Sequence, residues 1–384
     1  MSPRLLLHPY RLPLHRPWRS AHGGLSERQG WLVIAHGGQH ESRHRGYGDC
    51  APFPAAGTET LAAAAARLKY WQMRAQSESD QELLDALSNS LPSQTPAADA
   101  AVEIALLDWH ARTARQCLRA LLQPGAAELE QIPVNAALGT LIDCTPAALH
   151  AAARRDFWVF KLKVGTAPIE TELAHLRSLL AALPQPGQLR LDANGAWDLA
   201  TARRFLAALE QLPQQADSNL PVIESLEEPL REPRDADLAH LQALTSIPLA
   251  LDESLPRRPW PPPAAPLPVR RVILKPGVLG GLRPSLALAK AALEAGAQPL
   301  VTSLIDSAAG LWAAAELAAA ISALAQQTPG GIPSAGLCHG LATAEWLAAD
   351  LGRSPPLCAG QLRLSTLPGS GFQPFNQHNP APIS

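Results

Sequence analysis

Apolar residues follow two different rhythms along this chain, and the change falls near residue 130. From Ile132 onward, short apolar runs alternate with longer stretches of helical periodicity. Five of the runs end on a charge: Phe160-Lys161-Leu162-Lys163, Leu189-Arg190-Leu191-Asp192, Ile223-Glu224-Ser225-Leu226-Glu227, Leu249-Ala250-Leu251-Asp252 and Val272-Ile273-Leu274-Lys275. Each reads as a buried strand. The intervals between the terminal charges are 29, 35, 25 and 23 residues, about one strand plus one helix. Helices are predicted at 169–183, 199–212, 235–244, 282–295 and 308–325. With further runs at 134–138, 299–302 and 336–339, eight strands result, which predicts an α/β chain closed into a (β/α) barrel rather than an open sheet. The five charges would then meet on one rim.

The first 128 residues lack that alternation. Strands are predicted at 31–35 and 46–50 and helices at 59–75 and 96–122, the pattern of a separate α+β domain. The organisation expected is an N-terminal domain over 1–128, the barrel over 129–351, and a polar, Pro- and Gly-rich tail over 352–384 that packs back on the first domain. Prolines between 256 and 268 predict an extended loop where the helix after the Asp252 strand would stand.

Composition narrows the classes of partner. A chain of 384 residues with a formal charge of −2 has no electrostatic footprint for nucleic acid or an anionic membrane. A small-molecule substrate is the expected partner. The five cysteines lack CxxC spacing and read as reduced thiols of a cytoplasmic protein. No secretory signal is visible at the start, and the alanine-rich runs at 286–297 and 308–325, interrupted by Lys290, Glu294 and Glu316, are expected to be barrel helices rather than membrane spans.

Asp192, Glu227 and Asp252 are hard oxygen donors suited to Mg²⁺, with Mn²⁺ as the alternative. His339 is the one Cys or His at a comparable strand end, which disfavours zinc. Lys161 and Lys163 alternate on one strand and so share a face, the barrel interior. Two ammonium groups placed there repel and desolvate each other, which pushes one toward the neutral, basic form. Lys275 would face Lys163 across the opening. A divalent metal set among lysines suits removal of a proton alpha to a carboxylate, because cations offset the second charge that develops on the carboxylate.

Read in order, Lys161-Leu162-Lys163, Asp192-Ala193-Asn194, Leu226-Glu227-Glu228-Pro229, Asp252-Glu253-Ser254 and Lys275-Pro276 resemble the muconate-lactonizing subgroup of the enolase superfamily. The words Leu189 to Trp197, Ile273 to Pro276, Thr302 to Gly310 and His339 to Thr343 are similar to the o-succinylbenzoate synthase family within it, and Gly46 to Pro52 to that family's capping domain. The resemblance implies a (β/α)7β barrel with an N-terminal α+β capping domain and Mg²⁺ on Asp192, Glu227 and Asp252. It implies that Lys163 takes the alpha proton of 2-succinyl-6-hydroxy-2,4-cyclohexadiene-1-carboxylate and returns it to the departing hydroxyl, in menaquinone or phylloquinone biosynthesis. Lys275 would oppose the enediolate as a cation, and Lys161 would tune Lys163 and touch the substrate carboxylate. Ser303 and Gly340 match positions that bind the succinyl part; Asn194 and Arg190 are further substrate-binding candidates. Glu228 and Glu253 are expected behind the metal ligands, pairing with Lys161 or Lys275, and the loop at His22 is expected to cover the substrate. Asp306-Ser307-Ala308 departs from the family's Glu-Ser-Ser word. The same site could serve an N-acylamino acid racemase or a dipeptide epimerase, but His339 to Thr343 lacks the Asp-x-Asp word that epimerases usually carry.

Overall fold

The computed structural model describes residues 3–20, 23–37, 44–212, 221–260, 266–328 and 336–375. Three antiparallel strands open the chain: β1 (Pro3–Ser20), β2 (Gly23–Gly37) and β3 (Arg45–Cys50), in the order β1-β2-β3. The sequence analysis missed β1 because of its prolines. They are tolerated because β1 is the sheet edge, where a missing N–H breaks no ladder, and the register shifts between Pro13 and Trp18.

Four helices follow: α1 (Leu61–Arg74), α2 (Asp80–Asn89), α3 (Pro96–Thr113) and α4 (Leu118–Leu122). A capping box of Ser79 and Glu82 starts α2, a signal present in the sequence but not used. The single helix expected over 96–122 is two, since Arg115 turns into the left-handed region (φ 55°) between α3 and α4. Strand β3 lies flat on α3. A Cβ at Gly48 would meet the Ala101 carbonyl oxygen at 1.9 Å, and one at Gly46 the Ala105 oxygen at 2.1 Å, so only glycine permits the approach.

After β4 (Gln131–Pro133) come seven parallel strands, hydrogen-bonded in chain order: β5 (Ala136–Thr140), β6 (Val159–Lys163), β7 (Gln188–Asp192), β8 (Ile223–Glu227), β9 (Leu249–Leu251), β10 (Arg271–Leu274) and β11 (Gln298–Val301). The helices between them are α5 (Pro146–Ala153), α6 (Ile169–Ala181), α7 (Leu199–Glu210), α8 (Asp235–Ala243), α9 (Pro276–Leu279) and α10 (Leu282–Glu294), with α11 (Ala308–Gln327) after β11. Between β9 and β10 the described residues hold only a 3-10 turn, Leu255–Arg257; part of the proline-rich loop, 261–265, lies outside them.

The eighth strand expected at 336–339 makes isolated bridges rather than a ladder. His339 bridges Val134 and Gly340 bridges Thr302, both parallel, which closes the ring between β11 and β5. The Val301 N–H donates to His339 Nδ1 (3.1 Å), so the imidazole stands in for a strand carbonyl, and His339 Nε2 meets Ser322 Oγ of α11 at 3.1 Å. Burial drives the His339 pKa down to about 3, which suits a neutral ring accepting a bond. Because Val134 and Asn135 serve this seam, the first barrel strand starts two residues later than the sequence pattern suggests.

Strands β12 (Leu357–Cys358) and β13 (Gln361–Arg363) pair back on β4. Beyond them the Leu118 N–H donates to the Gly369 carbonyl (2.8 Å), and the Phe372 ring meets Tyr47 edge-on at 5.2 Å. Helix α11 is long and apolar enough to cross a membrane, yet most of it is buried inside the protein.

Candidate active site

Strand register sets the height of each charge on the barrel. Lys163 pairs with Asp192 and Asp192 with Glu227, while Glu227 pairs with Ala250, two residues before Asp252 on the same face. Asp192, Glu227 and Asp252 are buried, and each offers an oxygen within 4.8 Å of the others. Strands β6 and β10 are four positions apart in the ring, so Lys163 and Lys275 rise from opposite walls.

One cavity joins the barrel mouth to the capping domain. Lys161, Lys163, Asp192, Asn194, Asp252, Glu253, Lys275, Ser303 and Gly340 line it. Glu227 lies just beneath, fully buried. Lys161 Nζ sits 2.9 Å from Asp192 Oδ2 and also bonds Glu227 Oε2; Lys275 Nζ is 2.5 Å from Asp252 Oδ1. Asn194, held at φ 44°, donates its amide to Glu253 Oε1 at 2.9 Å, and its N–H to Asp192 Oδ1 at 3.0 Å. Ser303 Oγ shares a hydrogen bond with Thr343 Oγ1 at 2.7 Å.

Two expected placements are corrected. Arg190 does not line the cavity: it is fully buried in the barrel, where Nε and Nη2 donate to the two oxygens of Glu224, both at 2.9 Å. A register shift between Leu189 and Arg190 leaves Glu224 without a partner residue in the ladder, and this bulge turns it inward onto Arg190 and Arg271. Glu228 pairs with neither lysine in the described contacts. Its Oε2 accepts from Asp252 N–H (2.8 Å), Ser254 N–H (3.2 Å) and Ser254 Oγ (2.9 Å), so it braces the segment that carries Asp252. His22 lies outside the described residues.

The capping domain supplies wall residues that sequence reading missed. Trp18, near the end of β1, places its ring 4.5 Å from Lys163 Nζ and meets Phe53 edge-on at 5.6 Å. The available signal was an aromatic residue four positions before His22. Ile305, Thr343 and Trp346, on the barrel side, also line the cavity.

Electrostatics separate the two lysines of β6. Burial lowers the Lys163 pKa, with Lys161 and Lys275 adding to the effect against Asp192 and Glu253. For Lys161, burial is outweighed by Asp192 and Glu227, and the pKa rises, so this amine stays charged. Asp192 is lowered because Lys161 overcomes its burial. Asp252 is raised to about 6 by burial and by Glu253, against Lys275.

Whether these residues suit a divalent cation can be tested on their donor atoms. Glu227 Oε1 is buried and accepts no hydrogen bond, and the Arg190 guanidinium stands 3.8 Å away, too far to bond it, which leaves a carboxylate oxygen with spare capacity for a cation. Three carboxylates, each with an oxygen within 4.8 Å of the others, fit a cation of the Mg²⁺ kind.

Comparison with known proteins places this geometry in a family. Residues 145–377 match the family model described as enolase C-terminal domain-like. The o-succinylbenzoate synthase of Edwardsiella ictaluri is 30% identical over 361 residues, 92% of this chain and 94% of that one. That of Thermosynechococcus vestitus is 33% identical over 247 residues, 64% of this chain and 67% of the relative. Among solved structures, the L-Ala-D/L-Glu epimerase from Bacillus subtilis, in a substrate-liganded complex, has a TM-score of 0.78 at 20% identity over 96% of this chain and 97% of that one, a likeness of fold alone. A match over more than half the chain, and relatives of at least 30% identity along most of their own length, join a closed barrel, a cap and an acidic triad: the chain belongs to the enolase superfamily and, within it, to the o-succinylbenzoate synthase family of carbon–oxygen lyases.

Proposed function

We propose that this chain catalyses the syn-dehydration of 2-succinyl-6-hydroxy-2,4-cyclohexadiene-1-carboxylate to 2-succinylbenzoate, a step of menaquinone or phylloquinone synthesis. The observation that carries the reading is Lys163, an amine lowered toward its neutral form, in one cavity with three converging carboxylates. The relatives named o-succinylbenzoate synthase support it.

Asp192, Glu227 and Asp252 would hold Mg²⁺, or Mn²⁺ in its place, and the ion would offset the charge that develops on the substrate carboxylate. Lys163 removes the proton on the carbon alpha to that carboxylate, and the same amine gives the proton to the hydroxyl on the adjacent carbon as its C–O bond breaks. One base serving both groups makes the loss of water syn, and the ring becomes aromatic. Lys275, on the opposite wall, stays an ammonium ion because Asp252 and Glu253 outweigh its burial, and faces the growing negative charge. Asn194, Ser303 and Gly340 would contact the substrate, and Trp18 and Phe53 would exclude water from above.

The test is to mix protein, Mg²⁺ and the cyclohexadiene carboxylate and follow the ultraviolet absorbance of the diene, with EDTA in a control. Metal-dependent loss with 2-succinylbenzoate as product is expected. No loss, with solvent deuterium entering N-acylamino acids or dipeptides, would move the activity to a racemase or epimerase.

A further inference from the structure

Helix α11 starts at the barrel mouth with Ser307, a residue type that ordinarily caps its own helix. Here the Ser307 hydroxyl is buried and makes no hydrogen bond. The first amide hydrogens of the helix go elsewhere: Ser307 N–H donates to Asp49 Oδ2 at 2.9 Å and Ala308 N–H to Asp350 Oδ1 at 2.8 Å. Asp49 belongs to β3 of the capping domain, and its other oxygen accepts from the Tyr10 hydroxyl on β1. Burial and Asp49 hold the Tyr10 pKa well above its ordinary value, so that hydroxyl remains a donor. A Cβ at Gly310 would stand 2.9 Å from Asp49 Oδ2 and 2.8 Å from Asp306 Cβ, so the missing side chain admits the first turn of α11 to the carboxylate. The start of this barrel helix is thus held from two sides, by Asp49 of the capping domain on Ser307 and by Asp350 of the barrel's own end on Ala308.

The loop just before α11 carries two cavity residues, Ser303 and Ile305. Ile305 has φ 61°, a left-handed conformation that a β-branched residue seldom adopts without outside support. Its N–H donates to Ser303 Oγ at 3.0 Å, and its side chain is clustered with Leu12 of β1 and with Leu347. Support therefore reaches this loop from the capping domain at two points, Leu12 against Ile305 and Asp49 on Ser307.

We propose that Asp49, held by Tyr10, is a positioning residue of the reaction centre: by binding the Ser307 N–H it fixes the 303–307 loop, keeping Ile305 left-handed and Ser303 in the cavity wall. It touches no reacting atom. The consequence for turnover rests on the proposed dehydration; the consequence for the loop does not.

The experiment is hydrogen–deuterium exchange on the full chain, read on peptides covering 303–310, together with diene kinetics, for the wild type, Asp49→Ala, Asp49→Asn and Tyr10→Phe. Asp49→Ala should speed exchange in 303–310 on the order of 10-fold beyond any change elsewhere, and raise KM on the order of 10-fold with kcat changed much less. Asp49→Asn should recover most of both effects, because the amide oxygen still accepts from Ser307. Unchanged exchange in the loop, a rise spread evenly over the chain, or an Asn variant no better than Ala would each overturn the proposal. Should Asp49→Ala not fold, Tyr10→Phe is expected to give a smaller rise confined to the same peptides, and its absence would overturn the proposal equally. A wild type inert toward the diene would overturn the dehydration, and the exchange comparison would then decide the role of Asp49 by itself.

Discussion

Lys161 and Lys163 share a strand, a face and a cavity, yet their neighbours give them opposite characters. Lys161 lies against two carboxylates and is held charged; Lys163 stands one step higher under an indole ring, where burial and two other amines weigh on it. If Lys163 is the base, Lys163→Ala should cost roughly 10²- to 10⁴-fold in turnover, while calorimetry shows Mg²⁺ binding little changed, because Lys163 is not among the metal donors. A residual rate above about a hundredth would argue for another base. Asp252→Asn replaces a carboxylate of the proposed metal site with an amide and should raise the Mg²⁺ concentration needed for half-maximal turnover; unchanged dependence would remove Asp252 from the proposed ligand set. The strand-end charges were legible in the sequence because each closes an apolar run, and that position is the barrel rim. Arg190 shows where this reasoning stops. It shares the face of Asp192, so spacing sends it toward the site, but it lies one layer deeper, where Glu224 captures it.

At the level of elements, the parts that resisted reading are those whose backbone departs from the regular pattern. Glu224 faces inward because of a bulge, and no residue in Ile223-Glu224-Ser225 announces one. The eighth strand is reduced to two bridges because an imidazole takes over a ladder bond, and a single histidine in a sequence gives no sign of that. Strand β1 was hidden by prolines that matter only in a strand with neighbours on both sides. The barrel rhythm itself was plain, since seven strands of similar length, most of them followed by a helix, reinforce one another. The turn after β8 makes a prediction of its own. Glu228 adopts φ 39° and grips the N–H groups of Asp252 and Ser254 just after the next strand, so it should fix Asp252, the third proposed ligand, without touching the metal. Glu228→Ala should therefore weaken Mg²⁺ binding about 10- to 100-fold while circular dichroism stays native. Wild-type affinity in that variant would reduce Glu228 to a structural brace.

Across the whole molecule, the barrel, the link to the capping domain and the C-terminal segment meet at one buried ion pair. Glu316, in the middle of α11 and fully buried, accepts from the Arg119 N–H and from Arg119 Nη1, both at 2.8 Å. The same Nη1 reaches the Ser365 carbonyl at 3.1 Å, so a helix of the barrel, α4 and the returning tail depend on a single guanidinium. Burial raises the Glu316 pKa to about 7, against the pull of Arg119, from an ordinary value of 4.5. A carboxyl that is harder to ionise in the folded state than in the unfolded one favours folding when protonated. Its contribution is full below about pH 4.5 and is lost as pH rises through about 7. At 1.36 kcal/mol per unit, that loss is about 3 kcal/mol at most. Glu316→Gln has no such titration, so its melting temperature relative to the wild type should rise between pH 5 and about pH 7 and level off toward pH 8. The amide oxygen of that variant keeps one of the two Arg119 hydrogen bonds, and loss of the other shifts stability equally at every pH, so the pH dependence of the difference reports ionisation. Melting curves for both proteins at matched ionic strength would check it. A difference that stays constant over the interval would mean that Glu316 is charged throughout, with Arg119 winning over burial.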